Sequence, residues 1–251
     1  MMAAREQREQ EGKTPADTGA VIVAAGSFTR MGGIPKQLAL LDGKPVIAHT
    51  LLAFEQSPSV REIVLVARPE DRREMERICR DNAFSKLKAI TDGGKTRQES
   101  TAAGIARLSP DAAYCAVHDG ARPLVTPSVV EEVVGAARRY GAAAAAVRVK
   151  DTIKVADAAG FIQATPERRS LWSVQTPQVF ESALYRLALE DAREKGMDFT
   201  DDCQLVERLG CRVYLCEGDY ANIKLTTPED LPVAERLLQE RRKRSEDWTR
   251  L

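Results

Sequence analysis

Val21-Ile-Val-Ala-Ala-Gly26-Ser-Phe-Thr-Arg30-Met-Gly-Gly33-Ile-Pro-Lys36-Gln37 is the stretch from which the rest of the chain is read. It opens with a short apolar run of β-forming residues ending in two alanines and a glycine, the pattern of a buried parallel strand that breaks into a loop. Gly26, Gly32 and Gly33 let the loop backbone bend so that successive N–H groups point inward, while Arg30 and Lys36 bring fixed positive charge to the same place. That is the composition of a phosphate cradle, and equally of a glycine-rich turn with two solvated bases. Two better-known phosphate signatures are excluded. Ser27 and Phe28 stand where the second glycine of G-x-G-x-x-G would fall, and Gly94-Lys95-Thr96 does not end a P-loop because Ala89 replaces the upstream glycine.

Working outward, strand and helix alternate. Pro45 opens a helix with Ile47, Leu51 and Phe54 at helical spacing, on which His49 reads as a packed or capping residue. A strand over 63–67 precedes a charged helix with Met75, Ile78 and Cys79 on one face, and a third strand over 87–90 runs into Asp92-Gly93-Gly94. Thr96-x-x-Glu99 has the form of a capping box and starts a helix through Leu108. A fourth strand over 113–117 delivers an acid and a base, Asp119 and Arg122, to the edge where open α/β sheets bind ligands. Thr126-Pro127 then opens a helix with Val129, Val130, Val133, Val134 and Ala137 inward, and 142–149 returns to the sheet. The fold class expected is α/β, a Rossmann-like, mostly parallel sheet flanked by helices.

The pattern changes at 148–168, two extended segments around Asp157-Ala-Ala-Gly160 with no helix to bury them. A lone two-stranded hairpin is marginal in water, so this protruding arm is expected to pack on a second subunit. Beyond it the sequence reads as a turn at Thr176-Pro177-Gln178, a helix over 184–195, a helix to Leu209 capped by Thr200-Asp201-Asp202, a strand over 211–216, and a helix started by Thr227-Pro228-Glu229-Asp230. Asp201 and Asp202 read as helix N-terminal acids, Trp172 as core, and the basic run Arg241-Arg-Lys-Arg244 as a solvated helix end. Residues 1–18 lack apolar periodicity and read as a flexible N-terminal tail before a single domain over 19–251.

Lys plus Arg equals Asp plus Glu, both 37, so there is no field to gather nucleic acid or an anionic membrane; the expected partner is a small molecule whose charge is recognised locally. There is neither an apolar core of signal-peptide length nor a membrane-spanning run, and a cytoplasmic location is expected. Five scattered cysteines without a C-x-x-C pair read as apolar fillers with free thiols.

Loops bearing Arg30 and Lys36, Gly94 to Ser100, Asp119 and Arg122, and Lys224 would converge on one edge of a parallel sheet. Such a pocket has permanent charge but neither a His or Glu pair for acid/base work nor a serine nucleophile elbow. A phosphate monoester needs no base: already anionic at pH 7, it attacks a nucleoside triphosphate once their repulsion is screened. Two unit charges about 4 Å apart interact by roughly 4 kcal/mol at an effective dielectric of 20, so positioned cations suffice.

Taken together, Ala24-Ala25-Gly26 through Arg30-Met31-Gly32, Pro35-Lys36-Gln37, Gly93-Gly94 with Arg97-Gln98 and Ser100, and His118-Asp119-Gly120-Ala121-Arg122-Pro123 resemble the 2-C-methyl-D-erythritol 4-phosphate cytidylyltransferase family. The likeness continues, in order, through Asp151-Thr152-Ile153-Lys154, Arg168 before Leu171-Trp172, Gln175-Thr176-Pro177-Gln178, Thr200-Asp201-Asp202 and Asn222-Ile223-Lys224. It implies a nucleotidyltransferase type A fold and transfer of CMP from CTP to methylerythritol phosphate with release of pyrophosphate, in the non-mevalonate isoprenoid pathway, with a divalent metal, usually Mg²⁺. It further implies that Arg30 and Lys36 stabilise the triphosphate, that Lys224 and Arg168 position the attacking phosphate, and that Thr152 touches it. Ala24, Ala25, Gly26, Gly94, Ser100, Asp119 and Gly120 would line the CTP site, with Asp119 a metal contact. The family's arm crosses to the partner of a homodimer, where Thr152 and Arg168 would complete the neighbour's site. Phe28 departs from the family's usual small residue, Lys95 stands where some relatives carry an acid, and Gly120 replaces the commoner alanine. A cytidylyltransferase for another polyol phosphate, such as ribitol 5-phosphate, and a non-catalytic nucleotide-binding regulator are the rival readings.

Overall fold

The computed structural model describes residues 15–26 and 35–248. In chain order the elements are β1 (Thr18–Val23), the short pair β2 (Leu40–Leu41) and β3 (Lys44–Pro45), α1 (Val46–Glu55), β4 (Val60–Ala67), α2 (Arg72–Asp81), β5 (Leu87–Asp92), α3 (Arg97–Ile105), β6 (Tyr114–Asp119), α4 (Pro127–Tyr140) and β7 (Ala142–Arg148). There follow β8 (Val155–Ala156), β9 (Ile162–Ala164), β10 (Trp172–Glu181), α5 (Ser182–Glu194), α6 (Asp202–Arg208), β11 (Tyr214–Glu217) and α7 (Asp230–Trp248). Seven strands form one sheet in the order β11-β7-β10-β6-β1-β4-β5. β1 pairs in parallel with β4 on one side and β6 on the other, as do β4 with β5 and β7 with β11, whereas β10 runs antiparallel between β6 and β7. The mostly parallel sheet flanked by helices is as expected from the alternation.

Both faces of β1 are covered, which is why its sequence is continuously apolar. Ala20 and Ile22 pack with Ile47, Leu51 and Phe54 of α1, Met75 of α2 and Val133 and Val134 of α4. Val21 packs on the other side with Ile105 of α3, Tyr185 of α5 and Val206 of α6. The alanine run of β7 divides the same way, Ala143 and Ala145 to the first layer and Ala142 and Ala144 to the second. A third cluster joins Leu41, Val46, Leu225 and Ala234, so α7 backs the segment carrying Lys224.

The strand order reverses at β1. The chain moves outward from it through β4 to β5, then returns to β6 on the opposite side, so the loops leaving β1, β4, β5 and β6 share one edge.

Local expectations were met or shifted for identifiable reasons. Asp17 pairs with Arg138 and Thr18 is already the first residue of β1; the remainder of the expected tail, 1–14, lies outside the described residues. Thr96 caps α3 by accepting from Glu99 N (3.1 Å), but Glu99 answers to Lys95 N (2.6 Å) and not to Thr96 N, and the helix ends at Ile105. The turn expected at Thr176-Pro177-Gln178 is instead an irregularity within β10, where the Thr176–Pro177 bond is cis and the register on β7 breaks between Val174 and Gln178. The last strand is β11, shorter and later than 211–216. The last helix begins at Asp230 because its carboxylate accepts from Thr226 N, Thr227 N and Thr226 Oγ1, closing the turn ahead. The basic run at its end is not simply solvated: Arg241 donates to Leu124 O and pairs with Asp219, and Arg242 pairs with Asp42. Trp172 is half-buried beneath the Arg148 guanidinium, 3.8 Å from its ring centroid.

Within 148–168 the chain forms a short, exposed hairpin. β8 and β9 pair antiparallel around a turn in which Asp157 Oδ1 accepts from Ala159 N and Phe161 N, and Gly160 takes φ +89. Its tip holds Phe161, 72% exposed, beside exposed Ile162. All five cysteines are free thiols, four of them buried.

Candidate active site

The shared edge holds a cavity of about 540 Å³. From the loop after β1 come Ala25 and Gly26, from the turn before α1 Lys36 and Gln37, from the β5–α3 loop Gly94, from the first turn of α3 Ser100, from β6 Asp119, and from the segment after β11 Lys224. These are the loops whose convergence the sequence led us to expect, apart from residues 27–34, which include Arg30 and Phe28 and lie outside the described residues.

Each wall has a local cause. Pro35 O accepts from Leu38 N and Ala39 N, and Gln37 O from Ile47 N, so the Lys36 turn is pinned to the start of α1. The β5 loop approaches so closely that a Cβ on Gly93 would stand 2.3 Å from Ala25 Cβ, and one on Gly94 2.3 Å from Glu99 Cβ; only glycine fits at either. Ser100, buried at the base, donates to Thr96 O (2.8 Å) and accepts from Gly94 N (3.1 Å). Asn222 Nδ2 donates to Thr176 O (2.9 Å) and Leu225 N to Ala121 O (2.8 Å), which fixes Lys224 between them.

Asp119 is the electrostatic centre. Its Oδ2 meets Lys224 Nζ at 2.8 Å and Arg122 Nε at 3.6 Å, while its Oδ1 meets Arg97 Nε at 3.3 Å. Burial alone would push this carboxyl up, but Lys224, Arg97 and Arg122 outweigh it and hold it well below the usual carboxylate range. Arg122 stands behind the cavity, its Nη1 donating to Asn222 O (2.7 Å). Ala24 and Gly120 do not line the cavity: Ala24 is 1% exposed, and a Cβ on Gly120 would come within 3.0 Å of Ala24 Cβ, so the two pack against each other behind it. His118 takes no part in the cavity; it is fully buried between Thr176 Oγ1 (3.0 Å) and Arg122 O (3.3 Å), and burial lowers it to about 3.

Thr152 and Arg168 do not reach this cavity within one chain. Both are exposed at the base of the arm, where Arg168 Nη1 donates to Lys150 O (3.0 Å). Two charged cavity residues, Arg68 and Glu70, escaped the sequence reading, and Arg97 was singled out only as part of a motif, without a role. Arg68 and Glu70 follow β4 and pair at 2.9 Å, and the rule that strand C-termini meet at one edge would have found them. Arg97 reaches Asp119 only because α3 is anchored elsewhere, which no local pattern reveals. Asp202, expected as a helix-end acid, is buried and pairs with Arg97 Nη1 at 2.6 Å, while Asp201 is the true N-cap of α6.

Comparison with known proteins gives one consistent answer. The family model described as IspD, 2-C-methyl-D-erythritol 4-phosphate cytidylyltransferase, matches residues 18–240. A protein of that name from Desulforamulus reducens is 48% identical over 224 residues, covering 88% of this chain and 96% of its own, and one from Caldanaerobacter subterraneus is 48% identical over 226 residues, covering 88% and 98%. Among solved structures, 4-diphosphocytidyl-2C-methyl-D-erythritol synthase from Anaerococcus prevotii superposes with a TM-score of 0.80 at 30% identity, covering 88% of this chain and 96% of its own. The cytidylyltransferase from Thermus thermophilus gives 0.70 at 32% identity, covering 88% and 98%. With a family model spanning nearly all the described residues and relatives this similar over this length, the chain belongs to the 2-C-methyl-D-erythritol 4-phosphate cytidylyltransferase family.

Proposed function

We propose that this chain is a nucleotidyltransferase that transfers CMP from CTP to 2-C-methyl-D-erythritol 4-phosphate, giving 4-diphosphocytidyl-2-C-methyl-D-erythritol and pyrophosphate in the non-mevalonate isoprenoid pathway. The observation that carries the reading is the single cavity at the sheet's reversal point in which Lys36, Lys224, Asp119 and the Gly93-Gly94 loop meet. A phosphate oxygen of the polyol attacks the α-phosphorus of CTP, the new P–O bond replacing the one to the β-phosphate, and the displaced pair of electrons leaves on pyrophosphate. Nucleophile and leaving group are both anions, so the work of the protein is to screen and to align them. Lys36, with Arg30 of the same loop, neutralises the triphosphate, and Lys224 holds the incoming phosphate. Ser100, the loop at Gly94 and Asp119 line the nucleotide side of the cavity. Lys224 pairs with Asp119, which keeps the ammonium inside the cavity where the two substrates would meet.

A divalent cation, Mg²⁺, would find one ionised oxygen ligand here, Asp119, and would take it by displacing Lys224, which lies 2.8 Å from Oδ2. Among the described residues no three His, Cys, Asp or Glu gather around a point, so the triphosphate would supply most of the remaining ligands. Bound there, the ion would add charge neutralisation to the departing diphosphate. We further propose that the arm joins a homodimer, where Thr152 and Arg168 complete the neighbour's acceptor site; exposed Phe161 and Ile162 at its tip support this. Among the described residues no helix is long and apolar enough to cross a membrane, and with small charged substrates we place the enzyme in the cytoplasm, without nucleic-acid or membrane partners.

The direct test is phosphorus NMR of the chain incubated with CTP, Mg²⁺ and methylerythritol 4-phosphate. Coupled diphosphate resonances and free pyrophosphate should appear together; unchanged CTP in the presence of the acceptor would overturn the assignment.

A further inference from the structure

A buried ionic chain runs behind the cavity. Asp202 is 1% exposed and does not border the cavity, yet its carboxylate accepts from the Tyr185 hydroxyl (2.5 Å) and pairs with Arg97 Nη1 (2.6 Å). Tyr185 is itself wholly buried. Burying a pair of charges is a weak route to stability, since desolvation consumes most of the attraction, so such a pair is worth examining for what it positions. Arg97 offers the answer. While Nη1 is held by Asp202, its Nε meets Asp119 Oδ1 at 3.3 Å.

The other cations at Asp119 sit on the opposite oxygen, Lys224 at 2.8 Å and Arg122 at 3.6 Å from Oδ2. Among the described residues Arg97 is the charge that holds Oδ1, and without it the carboxylate is free to turn toward Oδ2 partners alone. The guanidinium is itself prevented from turning. Gln98 donates to Met197 O and accepts from Phe199 N, both at 2.9 Å, and Thr96 Oγ1 donates to Asp198 Oδ1 (2.9 Å), so the first turn of α3 is fastened on three sides to residues 197–202.

We propose that Arg97 is a positioning residue: locked by Asp202 and Tyr185, it sets the orientation of the Asp119 carboxylate and thereby the affinity for the nucleotide. A planar fork bridges two carboxylates where a lysine ammonium serves one, so the role belongs to arginine. The inference rests on reading Asp119 as a nucleotide contact.

Calorimetric titration of CTP with Mg²⁺ into the full chain tests it, using Arg97→Lys, Asp119→Asn, the double variant and Asp202→Asn, with melting temperatures measured alongside. Arg97→Lys and Asp119→Asn should each weaken CTP roughly tenfold or more, the usual range for losing a hydrogen bond to a charged group. The double variant should be no weaker than Asp119→Asn alone, because one acts through the other. Asp202→Asn should weaken CTP as well, although it borders no part of the cavity. Losses that multiply in the double variant would show that Arg97 touches the nucleotide itself or acts only as scaffold, and would overturn the proposal. So would an unaltered Kd in Arg97→Lys beside a weakened Asp119→Asn. If Asp119→Asn binds CTP as the wild type does, the reading of Asp119 falls and the proposal with it. Should Arg97→Lys not fold, Asp202→Asn decides alone: unaltered affinity contradicts the inference.

Discussion

His118 and Asp119 are neighbours in sequence with opposite electrostatic fates. His118 is sealed beneath Phe54, ring centroids 5.0 Å apart, and burial lowers it to about 3. The unfolded chain binds a proton at this residue below about 6.5 and the folded chain does not until about 3, so stability falls as pH drops through that window, by up to about 1.4 kcal/mol per pH unit. Urea unfolding at pH 7 and pH 5 should show a shallower loss in His118→Gln than in the wild type; equal slopes would mean that His118 is not the group responsible. Asp119 has the other sign. Its depressed carboxyl adds stability above the unfolded carboxylate range and loses it only in stronger acid, so it does not confuse that comparison. Lys224 is more than a third exposed, and Arg97 and Arg122 stay on buried Asp119 when it is removed, so its loss should cost folding little. Lys224→Ala should therefore lower kcat by about two to three orders of magnitude, as loss of a transition-state cation does, with Tm nearly unchanged; a collapse of Tm to match would make its role structural. At this scale the sequence disclosed cations on glycine-rich or strand-end loops, Lys36 and Lys224 among them, because such residues have no core to serve. It hid the pairing of Arg97 with Asp202, since a surface helix-end acid and a buried ion-pair partner are spelled the same way.

Among the elements, the arm and α7 carry testable consequences. β8 and β9 are two and three residues long and exposed, too little to hold a hairpin in place by themselves. Replacing Phe161 by Asp at the tip should shift sedimentation toward monomer and reduce activity together if Thr152 and Arg168 act on the neighbouring chain; a fully active monomer would contradict the shared site. The C-terminal helix is tied to the rest of the chain by Arg241, to Leu124 O and Asp219, and by Arg242, to Asp42. These pairs are partly exposed, so Arg241→Ala should cost about 1 kcal/mol or less in urea unfolding. A loss several times larger would mark α7 as a main support of the fold. The strands and helices of the first half were legible from apolar period alone, because each buries a whole face. Thr176-Pro177-Gln178 was not, because proline and its neighbours are written like a turn even where the chain continues as a strand between two partners.

For the whole molecule, function follows from one topological fact. Strand order reverses at β1, so loops distant in sequence open onto one edge, and the chain need only place a cation or a glycine at the end of each strand. This much was readable from the order of strands, loops and charges, since a βα alternation leaves few ways to wind. Which acceptor enters is a matter of the cavity's finer shape. Steady-state pyrophosphate release from CTP, measured side by side with methylerythritol 4-phosphate and ribitol 5-phosphate in the wild type and in Lys224→Ala, therefore bears most directly on the account. It predicts rapid release that requires methylerythritol 4-phosphate and is nearly abolished in the variant. Faster release with ribitol 5-phosphate, or a variant as active as the wild type, would contradict it.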